Sequence, residues 1–259
     1  SIRKKTHCSD SISPESNKKN NNVVKNDEDA EENSNNVICG FNLKEYKIQK
    51  EIGKGSFGQI FLVEDKNKKQ YALKKIIGSS HKEIKELKKE YQILYDIQSF
   101  KNKVDIVKIY GLTSKKLDET TYGVYVLMDL AFTDWEKEIK NRKKSKNYYT
   151  EKEIVKIFKT IIKSLAVLQK ENISHRDIKP QNILLFEENN EIKYKLADFG
   201  EAKELIEGDK LTNKQTLRGT ELYMSPILFY ELRKKTVKKY IKHNPYKSDV
   251  FSLGLCFLF

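Results

Sequence analysis

The spacing of the apolar residues changes near residue 81 of this chain. Residues 46–52, 59–63 and 71–76 alternate apolar and polar side chains, as half-buried strands do, and short polar turns separate them. From residue 81 to residue 98 the apolar side chains recur every three or four positions, which is typical of an amphipathic helix. They are Ile84, Leu87, Tyr91, Leu94 and Ile97. The pattern predicts an antiparallel meander followed by one helix.

The second part of the chain is more helical than the first. Residues 106–110 and 122–128 are two further predicted strands, with a polar turn at 114–120 between them. Residues 151–170 form the second predicted helix, for which Thr150 is the expected N-cap. The side chains predicted on its inner face are Ile154, Ile157, Phe158, Ile161, Ile162, Leu165 and Leu168. Strands followed by helices in this way indicate an α+β protein.

Residues 1–44 differ in composition from the rest of the 259-residue chain. They are rich in Asn, Ser, Lys and Glu and lack apolar periodicity, which predicts a disordered leader. The residues that follow are numerous enough to bury a sizeable core.

The chain carries a formal net charge of +13. Basic and acidic residues nearly balance in the leader, so the excess belongs to the remainder, where residues 142–146 and 233–242 are rich in Lys and Arg. Charge alone suggests a nucleic-acid-binding module, because a basic protein attracts polyanions. Since both clusters lie away from the motifs described below, a solvated basic face is the favoured interpretation, with docking of acidic partners or membranes as the alternative. No nucleic-acid partner is expected.

The three cysteines, Cys8, Cys39 and Cys256, are too few and too scattered for a disulfide framework or a zinc site. We therefore expect a reducing, intracellular compartment, either cytoplasmic or nuclear. The longest apolar run, residues 250–259, is shorter than the about 20 residues that a membrane span needs. No membrane span is expected, and because both ends look cut, we expect the chain to be part of a longer protein.

Gly53, Gly55 and Gly58 lie in a turn between two predicted strands. Glycines let the backbone approach a phosphate closely, so a glycine-rich hairpin can cover a nucleotide with its N–H groups. The alternative is a tight hairpin that binds no ligand.

Lys74 lies inside an otherwise apolar predicted strand. A buried ammonium needs an anionic partner such as a phosphate or a carboxylate, whereas a lysine at a strand edge can reach solvent. Glu90, at the margin of the apolar face of the next helix, is the favoured carboxylate. Glu83 and Glu86 lie on the same side of that helix and stay open as alternatives.

A polar loop between two apolar flanks, at residues 173–185, is the strongest motif in the chain. Its side chains include Asp177, Lys179 and Asn182, and such a loop is costly to bury without a purpose. Asp198 follows further along, between apolar residues and ahead of a glycine. One Asp that accepts a hydroxyl proton, an Asp and an Asn that hold Mg²⁺, and a Lys that neutralises phosphate are what phosphoryl transfer requires.

These motifs, in this order, resemble those of the eukaryotic protein kinases of the serine/threonine type, from about Tyr46 to the last residue. The resemblance implies a two-lobed α+β fold. Its small lobe, residues 45–131, would hold a five-stranded antiparallel sheet and one helix, and its large lobe, residues 132–259, would be mainly helical and incomplete. It also implies an enzyme that uses ATP and Mg²⁺ to phosphorylate Ser and Thr hydroxyls of protein substrates.

The resemblance assigns roles to individual residues. The catalytic residues would be Asp177, Lys179, Lys74 and Glu90, and the magnesium ligands would be Asn182 and Asp198. Within this set Asp177 is the base, Lys74 contacts the α- and β-phosphates, and Glu90 pairs with Lys74. ATP would contact Ile52, Gly53, Gly55, Gly58, Ile60, Ala72, Lys74, the backbone of Asp129 and Ala131, and Leu184, with Met128 as the gatekeeper.

Substrate class and regulation also follow from the resemblance. Lys179, two residues after the base, and Thr220 resemble residues of kinases that modify Ser and Thr. Arg176 beside the base resembles kinases whose activation loop is phosphorylated, and Thr216 stands where that phosphate usually lies.

Two features depart from the family pattern. Ile227 occupies a position where the family usually has a glutamate that forms an anchoring salt bridge. The chain also stops within the predicted central helix of the large lobe, which leaves that apolar helix exposed. A nucleotide-binding pseudokinase or scaffold, or a fragment that is inactive without further C-terminal helices, is therefore the alternative hypothesis.

Overall fold

The computed structural model describes residues 40–55, 58–99, 104–205, 214–234 and 241–258. The predicted disordered leader lies outside the described residues up to residue 39. Within the described ranges, no helix combines the length and the apolar character that crossing a bilayer requires.

A five-stranded antiparallel sheet forms the first half of the described fold, in the order β1-β2-β3-β5-β4. Its strands are β1 (Lys47–Gly55), β2 (Gly58–Glu64), β3 (Gln70–Gly78), β4 (Ile109–Lys116) and β5 (Tyr122–Met128). The alternating pattern of the sequence therefore predicts the meander correctly, including its helix, α1 (His81–Ser99). The two faces of this sheet bury different sets of side chains.

The inner face of the sheet packs against α1. Ile84, Tyr91, Leu94 and Ile97 on the helix are at most 5% exposed and belong to one apolar cluster with Val124 and Val126 of β5. This cluster continues into the second half of the fold, so a single core supports both halves. The α+β fold class is thereby confirmed.

The outer face of the sheet is covered by the chain that precedes it. A second apolar cluster centres on Val63, Leu73 and Leu127, and Phe41 and Tyr46 pack against it. Among the described residues, packing against the sheet thus extends back to Phe41, upstream of the boundary that composition indicates.

The fourth strand is shifted relative to its prediction at 106–110. Ile106 instead forms a parallel bridge with Leu196, and the Val107 N–H donates to the Leu196 carbonyl at 2.8 Å. This segment therefore crosses to a hairpin in the second half of the fold before β4 begins at Ile109. The prediction was wrong here because apolar character alone does not specify which strand a segment pairs with.

The second half of the fold combines helices with short strands. The helices are α2 (Trp135–Ser145), α3 (Glu151–Lys170), α4 (Pro226–Leu232) and α5 (Pro245–Cys256). Its strands are β6 (Thr133–Asp134), β7 (Ile173–Ser174), β8 (Ile183–Glu188), β9 (Glu191–Leu196), β10 (Lys203–Glu204), β11 (Lys214–Gln215) and β12 (Ile241–Lys242). Strands β6, β8 and β9 form one sheet, and β7–β10 and β11–β12 form two pairs.

Helix α3 has the predicted bounds and the predicted N-cap. The Thr150 hydroxyl accepts from the Glu153 N–H, and the Glu153 carboxylate accepts from the Thr150 N–H, which completes a capping box. Ile157, Ile161, Leu165 and Leu168 are buried as predicted. Two assignments to the inner face were wrong: Ile154 and Phe158 are 37% and 38% exposed, because they flank the buried stripe.

The β1–β2 turn requires glycine at one position and merely tolerates it at another. Gly58 has φ +132°, and a Cβ there would lie 2.1 Å from the Lys75 carbonyl oxygen. A Cβ on Gly53 would meet only the Ile60 side chain, at 3.7 Å.

We therefore expect Gly58→Ala to lower the free energy of unfolding by about 1–3 kcal/mol, because β3 must move away from the added methyl group. Gly53→Ala is the matched control and should change it by less than about 0.5 kcal/mol. Urea unfolding of both variants measures the difference, and equal losses would contradict this account of the turn.

Candidate active site

A buried carboxylate on α5 holds the loop that follows β7. Asp249 is 4% exposed and accepts from the Ser174 hydroxyl, the His175 N–H and the Arg176 N–H, each at 2.8 Å. These bonds stabilise Arg176 in the left-handed region, at φ 69°. This role of Asp249 was not predicted from the sequence. A carboxylate inside the apolar stretch of a predicted buried helix was the available signal.

The hydrogen bonds do not fully offset the cost of burying Asp249. Burial raises the pKa of its carboxyl above the usual value, although the nearby His175 and the bonds from Ser174 and the backbone act in the opposite direction. All of these donors belong to one short segment, residues 174–176, and their bonds hold the carboxylate in place.

His175 links the loop to the strand that precedes Asp198. Its Nδ1 accepts from the Asp177 N–H at 3.3 Å, so its Nε2 carries the proton and donates to the Ala197 carbonyl at 3.0 Å. The ring also packs against Phe199, with centroids 4.8 Å apart. His175 thus contacts both the loop that contains Asp177 and the segment of residues 197–199 that contains Asp198.

The Asp177 carboxylate is surrounded by hydrogen-bond donors. Its Oδ1 accepts from the Thr220 N–H at 2.9 Å and the Thr220 hydroxyl at 2.7 Å. Its Oδ2 accepts from Lys179 Nζ at 2.7 Å and from Asn182 Nδ2 at 3.1 Å. Lys179 also donates to the Thr220 hydroxyl at 2.8 Å. The structure thus brings together three of the predicted residues and the Thr220 of the substrate-class prediction.

These donors determine the charge of Asp177. Burial acts to raise the pKa of its carboxyl, but the bonds from Lys179 and Thr220 and the charge of Lys179 outweigh burial, so the pKa is lowered. Because the folded-state pKa lies below that of the unfolded chain, ionised Asp177 contributes stability at neutral pH. That contribution is lost as the pH falls through the folded-state pKa.

Lys74 forms an ion pair with Asp198. Its Nζ lies 2.6 Å from Asp198 Oδ1, and the side chain is buried. Burial acts to lower the pKa of this ammonium, but Tyr91 and Asp198 outweigh burial, so the pKa is raised and the group stays charged. The prediction that a buried Lys74 needs an anionic partner agrees with this geometry.

The described contacts do not include one between Lys74 and a glutamate of α1. Glu90 falls within the range of α1, but its side chain lies outside the described part of the structure, as does that of Glu86. Glu83 has a different role, because its Oε2 accepts from the N–H and the hydroxyl of Ser79, both at 2.9 Å. The pairing of Glu90 with Lys74 stays a prediction.

Asn182 and Asp198 offer oxygen atoms that suit Mg²⁺. Asn182 Nδ2 donates to the Asp177 carbonyl at 2.8 Å, which leaves the amide oxygen as its metal-binding atom. The two residues belong to adjacent segments, because the Ala197 N–H donates to the Asn182 carbonyl at 2.8 Å. No cluster of three or more His, Cys, Asp or Glu that could hold a metal is found within the described ranges. A pair of oxygen ligands nevertheless fits Mg²⁺, which keeps water and phosphate oxygens as its other ligands.

The predicted adenine contacts meet at the end of β5. Ala72 is paired with Met128 across β3 and β5, and it is buried. Met128, Ala131 and Leu184 pack together against one small apolar cluster. The Asp129 N–H donates to the Lys108 carbonyl at 2.9 Å, so its carbonyl oxygen is the backbone group that could pair with a base.

The remaining predicted ATP contacts lie on the first two strands. Ile52 and Gly53 are in β1, and Ile60 in β2 is paired with both Gly53 and Lys74. Gly55 is paired with Gly58 at the end of the hairpin. The residues between these two glycines lie outside the described part of the chain.

Arg176 contacts the residue predicted to be phosphorylated. Its Nη2 donates to the Thr216 hydroxyl at 2.7 Å. A second arginine, Arg218, pairs with Glu201 at 3.3 Å. Gly219, between Arg218 and Thr220, has φ +108°, and a Cβ there would lie 2.8 Å from the Arg176 carbonyl oxygen. The segment is therefore packed closely against the loop that carries Asp177.

Helix α4 is anchored by serine hydroxyls at the position where Ile227 departs from the family. Ile227 is 44% exposed. The Ser225 and Ser248 hydroxyls lie 2.9 Å apart, and the Ser252 hydroxyl donates to the Tyr223 carbonyl at 2.6 Å. The start of α4 is thus tied to α5 without the salt bridge that the family usually has.

The two basic clusters are partly neutralised. Arg142 pairs with Glu138 and Glu153, and Arg233 and Lys234 pair with Glu221 and Glu231. Residues 235–240 lie outside the described part. Lys143, Lys144 and Lys146 are exposed, so they form the surface that an acidic partner could contact.

The contacts of Asp249 generate a prediction about stability. Asp249→Asn should lower the free energy of unfolding by about 1–3 kcal/mol, because the amide turns a donor toward N–H groups that need an acceptor. Ser174→Ala removes only one of the same bonds and should cost about 1 kcal/mol or less. Urea unfolding compares the two, and a Ser174→Ala loss that equals that of Asp249→Asn would contradict the anchoring role of the carboxylate.

Comparison with known proteins identifies the family. A probable serine/threonine-protein kinase of Dictyostelium discoideum is 33% identical over 216 residues, which cover 81% of this chain and 18% of that protein. Myosin light chain kinase A of the same organism is 33% identical over 187 residues, which cover 71% of this chain and 58% of that protein. Calcium-dependent protein kinase 7 of Oryza sativa subsp. japonica is 26% identical over 214 residues, which cover 81% and 35% respectively.

The chain therefore spans less than two thirds of the length of each of these relatives. The protein kinase domain family matches residues 46–259, which include the sheet, the Asp177 loop, the Lys74–Asp198 pair and α5. Because this match extends over most of the sequence, the chain belongs to the protein kinase family.

Proposed function

We propose that this chain is the catalytic part of a serine/threonine protein kinase that transfers the γ-phosphoryl group of ATP to hydroxyl groups of protein substrates. The observation that carries the proposal is the cluster of Asp177, Lys179, Asn182 and Thr220, in which an ionised carboxylate meets an ammonium group and a hydroxyl. Family membership gives the reaction class.

Asp177 would act on the substrate hydroxyl. Its lowered pKa keeps the carboxylate ionised and able to accept a proton at neutral pH. The Thr220 hydroxyl lies 2.7 Å from Oδ1, so a hydroxyl is already accommodated beside the carboxylate. A substrate Ser or Thr would approach the same group, and its proton would pass to an Asp177 oxygen as its own oxygen forms a bond to the γ-phosphorus of ATP. The bond between that phosphorus and the bridging oxygen would break at the same time, and ADP would leave with the electron pair.

Lys179 would stabilise the phosphoryl group during transfer. Its ammonium lies between Asp177 Oδ2 and the Thr220 hydroxyl, at 2.7 Å and 2.8 Å. An ammonium has three donors, so one remains available for a phosphoryl oxygen. A fixed positive charge at this point favours the developing negative charge of the transition state.

Lys74, Asp198 and Asn182 would hold the phosphates. Lys74 can donate to the α- and β-phosphates while it keeps its contact with Asp198, and the charged state of the ammonium supports this role. Asp198 and the Asn182 amide oxygen would bind Mg²⁺, which neutralises phosphate charge when it is bound. Glu90 would complete the set by pairing with Lys74.

The adenine base would lie between the two halves of the fold. Ala72 on one side and Leu184 on the other supply apolar surfaces, and Ile52 and Ile60 extend the first of these. The Asp129 carbonyl would accept from the base, and the backbone of Ala131 would supply the second polar contact. The glycine-rich turn with Gly53, Gly55 and Gly58 would cover the phosphates.

A nucleotide-binding pseudokinase or scaffold is the second candidate, and Ile227 is the observation that favours it. The serine contacts of α4 weigh against it, because they anchor the same segment in another way. We further propose acidic docking partners at Lys143, Lys144 and Lys146, and a cytoplasmic or nuclear location.

Asp177→Asn tests the proposed mechanism directly. The amide cannot accept the proton, so transfer of radiolabelled phosphate from ATP to a basic model substrate should fall by about a hundredfold or more. The affinity of this variant for Mg·ADP should change little. Retained affinity would show that the variant is folded and has lost only the transfer step.

Asp118→Asn is the matched control, because Asp118 lies in an exposed turn where it caps the Thr120 and Thr121 N–H groups. This variant should transfer phosphate at the wild-type rate. Phosphate incorporation by Asp177→Asn at the wild-type rate would sink the assignment of the base, and nucleotide binding without any wild-type transfer would support the pseudokinase instead.

We also propose that phosphorylation of Thr216 regulates this enzyme. Arg176 already donates to the Thr216 hydroxyl at 2.7 Å, so a phosphate there would gain a charge-assisted partner next to the base. Thr216→Ala should lower kcat by about tenfold relative to wild-type protein that carries the phosphate, because the contact with Arg176 fixes the segment that contains Thr220.

Thr216→Ser is the control, since it keeps the acceptor hydroxyl and should retain most of the activity. Mass spectrometry establishes the occupancy of the site. Unchanged activity and unchanged proteolytic sensitivity of the segment in Thr216→Ala would show that Thr216 has no regulatory role.

A further inference from the structure

Residue Asp129 carries the backbone carbonyl that the proposed function assigns to the adenine base. We propose that Tyr110 is the positioning residue for this carbonyl and that its hydroxyl determines how well the site discriminates the amino group of adenine. This inference rests on the proposed function. It concerns a residue of β4 that touches neither the base nor the reacting groups.

A bulge in β4 directs Tyr110 toward Asp129. Ile109 is paired with Met128 and Gly111 with Leu127, so Tyr110 is an extra residue between two consecutive pairs. A bulge of this kind changes the direction in which a side chain points and locally breaks the strand ladder. It lies directly opposite the end of β5, where the chain passes into the adenine-binding segment.

The bulge is held by a side chain from α1. Gln98 accepts from the Ile109 N–H through Oε1 and donates to the Ile109 carbonyl through Nε2. These bonds satisfy both backbone groups of the residue just before Tyr110. The bulge is therefore a supported feature of the small lobe, and α1 contributes to its position.

Residues 108–110 hold Asp129 at two points. The Tyr110 hydroxyl donates to Asp129 Oδ1 at 2.6 Å, and the Lys108 carbonyl accepts from the Asp129 N–H at 2.9 Å. Lys195 Nζ is more distant, at 3.9 Å from Oδ2. Because its N–H and its carboxylate are both held by hydrogen bonds, the backbone of Asp129 has a defined orientation. The same two bonds therefore determine the direction in which its carbonyl points.

The orientation of the Tyr110 ring is set by a row of aromatic rings on the outer face of the sheet. The row runs from Tyr110 to Tyr71, Tyr46 and Phe41, with neighbouring centroids 5.2, 5.7 and 5.6 Å apart and every pair nearly perpendicular. Edge-to-face contacts of this kind restrict ring rotation. The row joins the chain at Phe41 to the adenine-binding segment, so residues before β1 support the same carbonyl.

The hydroxyl is a donor at all physiological pH values. Burial raises the pKa of Tyr110, and the hydrogen bond to Asp129 raises it further. A neutral phenol that donates to a carboxylate forms one of the stronger hydrogen bonds in a protein.

Tyr125 provides a matched control on the same sheet. Its ring packs into the same outer cluster as Tyr110, and burial is the cause that raises its pKa. Among the described residues its hydroxyl has no hydrogen-bond partner, so Tyr125→Phe removes a hydroxyl from the cluster without affecting Asp129.

The experiment compares binding of Mg·ADP and Mg·IDP to the full chain and to Tyr110→Phe. Inosine has a carbonyl oxygen in place of the amino group that would donate to the Asp129 carbonyl, and a hydrogen on N1 where adenine has an acceptor. The change that Tyr110→Phe makes in the ratio of the two dissociation constants therefore reports the effect of Tyr110 on the Asp129 contact. We expect Tyr110→Phe to weaken ADP binding about three- to tenfold and IDP binding less than about twofold. Tyr125→Phe should leave both dissociation constants within about twofold of the wild type.

A double-mutant cycle isolates the hydroxyl–carboxylate bond. In the Asp129→Ala background, Tyr110→Phe should have no further effect on ADP affinity. With ATP as substrate, Tyr110→Phe should raise KM and leave kcat within about twofold, because the residue acts on binding of the base and not on the transfer step.

The outcomes separate this inference from the proposed function. Equal weakening of ADP and IDP, or no change in either, would overturn the role of Tyr110 while leaving the kinase assignment intact. A wild-type chain that binds neither nucleotide would overturn the proposed nucleotide site and this inference together.

Discussion

The loop that carries the predicted catalytic groups depends on one buried carboxylate. Asp249 gathers three donors from residues 174–176, and it does so at a cost, because burial raises the pKa of its carboxyl. The left-handed backbone of Arg176 follows from this arrangement, and so does the direction in which its guanidinium reaches Thr216. Without that anchor, the neighbouring Asp177 would have no fixed relation to the donors that lower its pKa.

The two groups of functional side chains are connected through the backbone of a single residue. Ala197 donates its N–H to the Asn182 carbonyl and accepts from His175 through its own carbonyl. The cluster around Asp177 and the Lys74–Asp198 pair therefore share a rigid element, and Asp198 follows it directly. The proposed phosphoryl transfer needs a nucleophile and a phosphate held at fixed separation, and this connection would supply that geometry.

A structural feature could be predicted from the sequence when the residues that form it lie close together along the chain. Periodicity and capping, which are local, predict α3 from Glu151 to Lys170 together with its N-cap, Thr150. The family resemblance likewise places Asp177 and Asn182 in one site, and the two side chains are hydrogen-bonded to each other. The partners of Asp249 lie 73 to 75 residues away from it, and no local pattern reveals them. The bulge at Tyr110 was missed for a related reason, because a shift of register leaves the apolar pattern of β4 readable in more than one way.

The net charge of +13 is not concentrated at the proposed phosphate site. Three cations among the described residues are each paired with a carboxylate: Lys74 with Asp198, Lys179 with Asp177 and Arg218 with Glu201. A phosphate that enters such a site must share or exchange partners with carboxylates already in place. Affinity for the phosphates then depends on geometry and on the metal ion that offsets the carboxylates. The accuracy with which the proposed adenine-binding segment would hold the base accordingly matters more here than it would in a site dominated by free lysines.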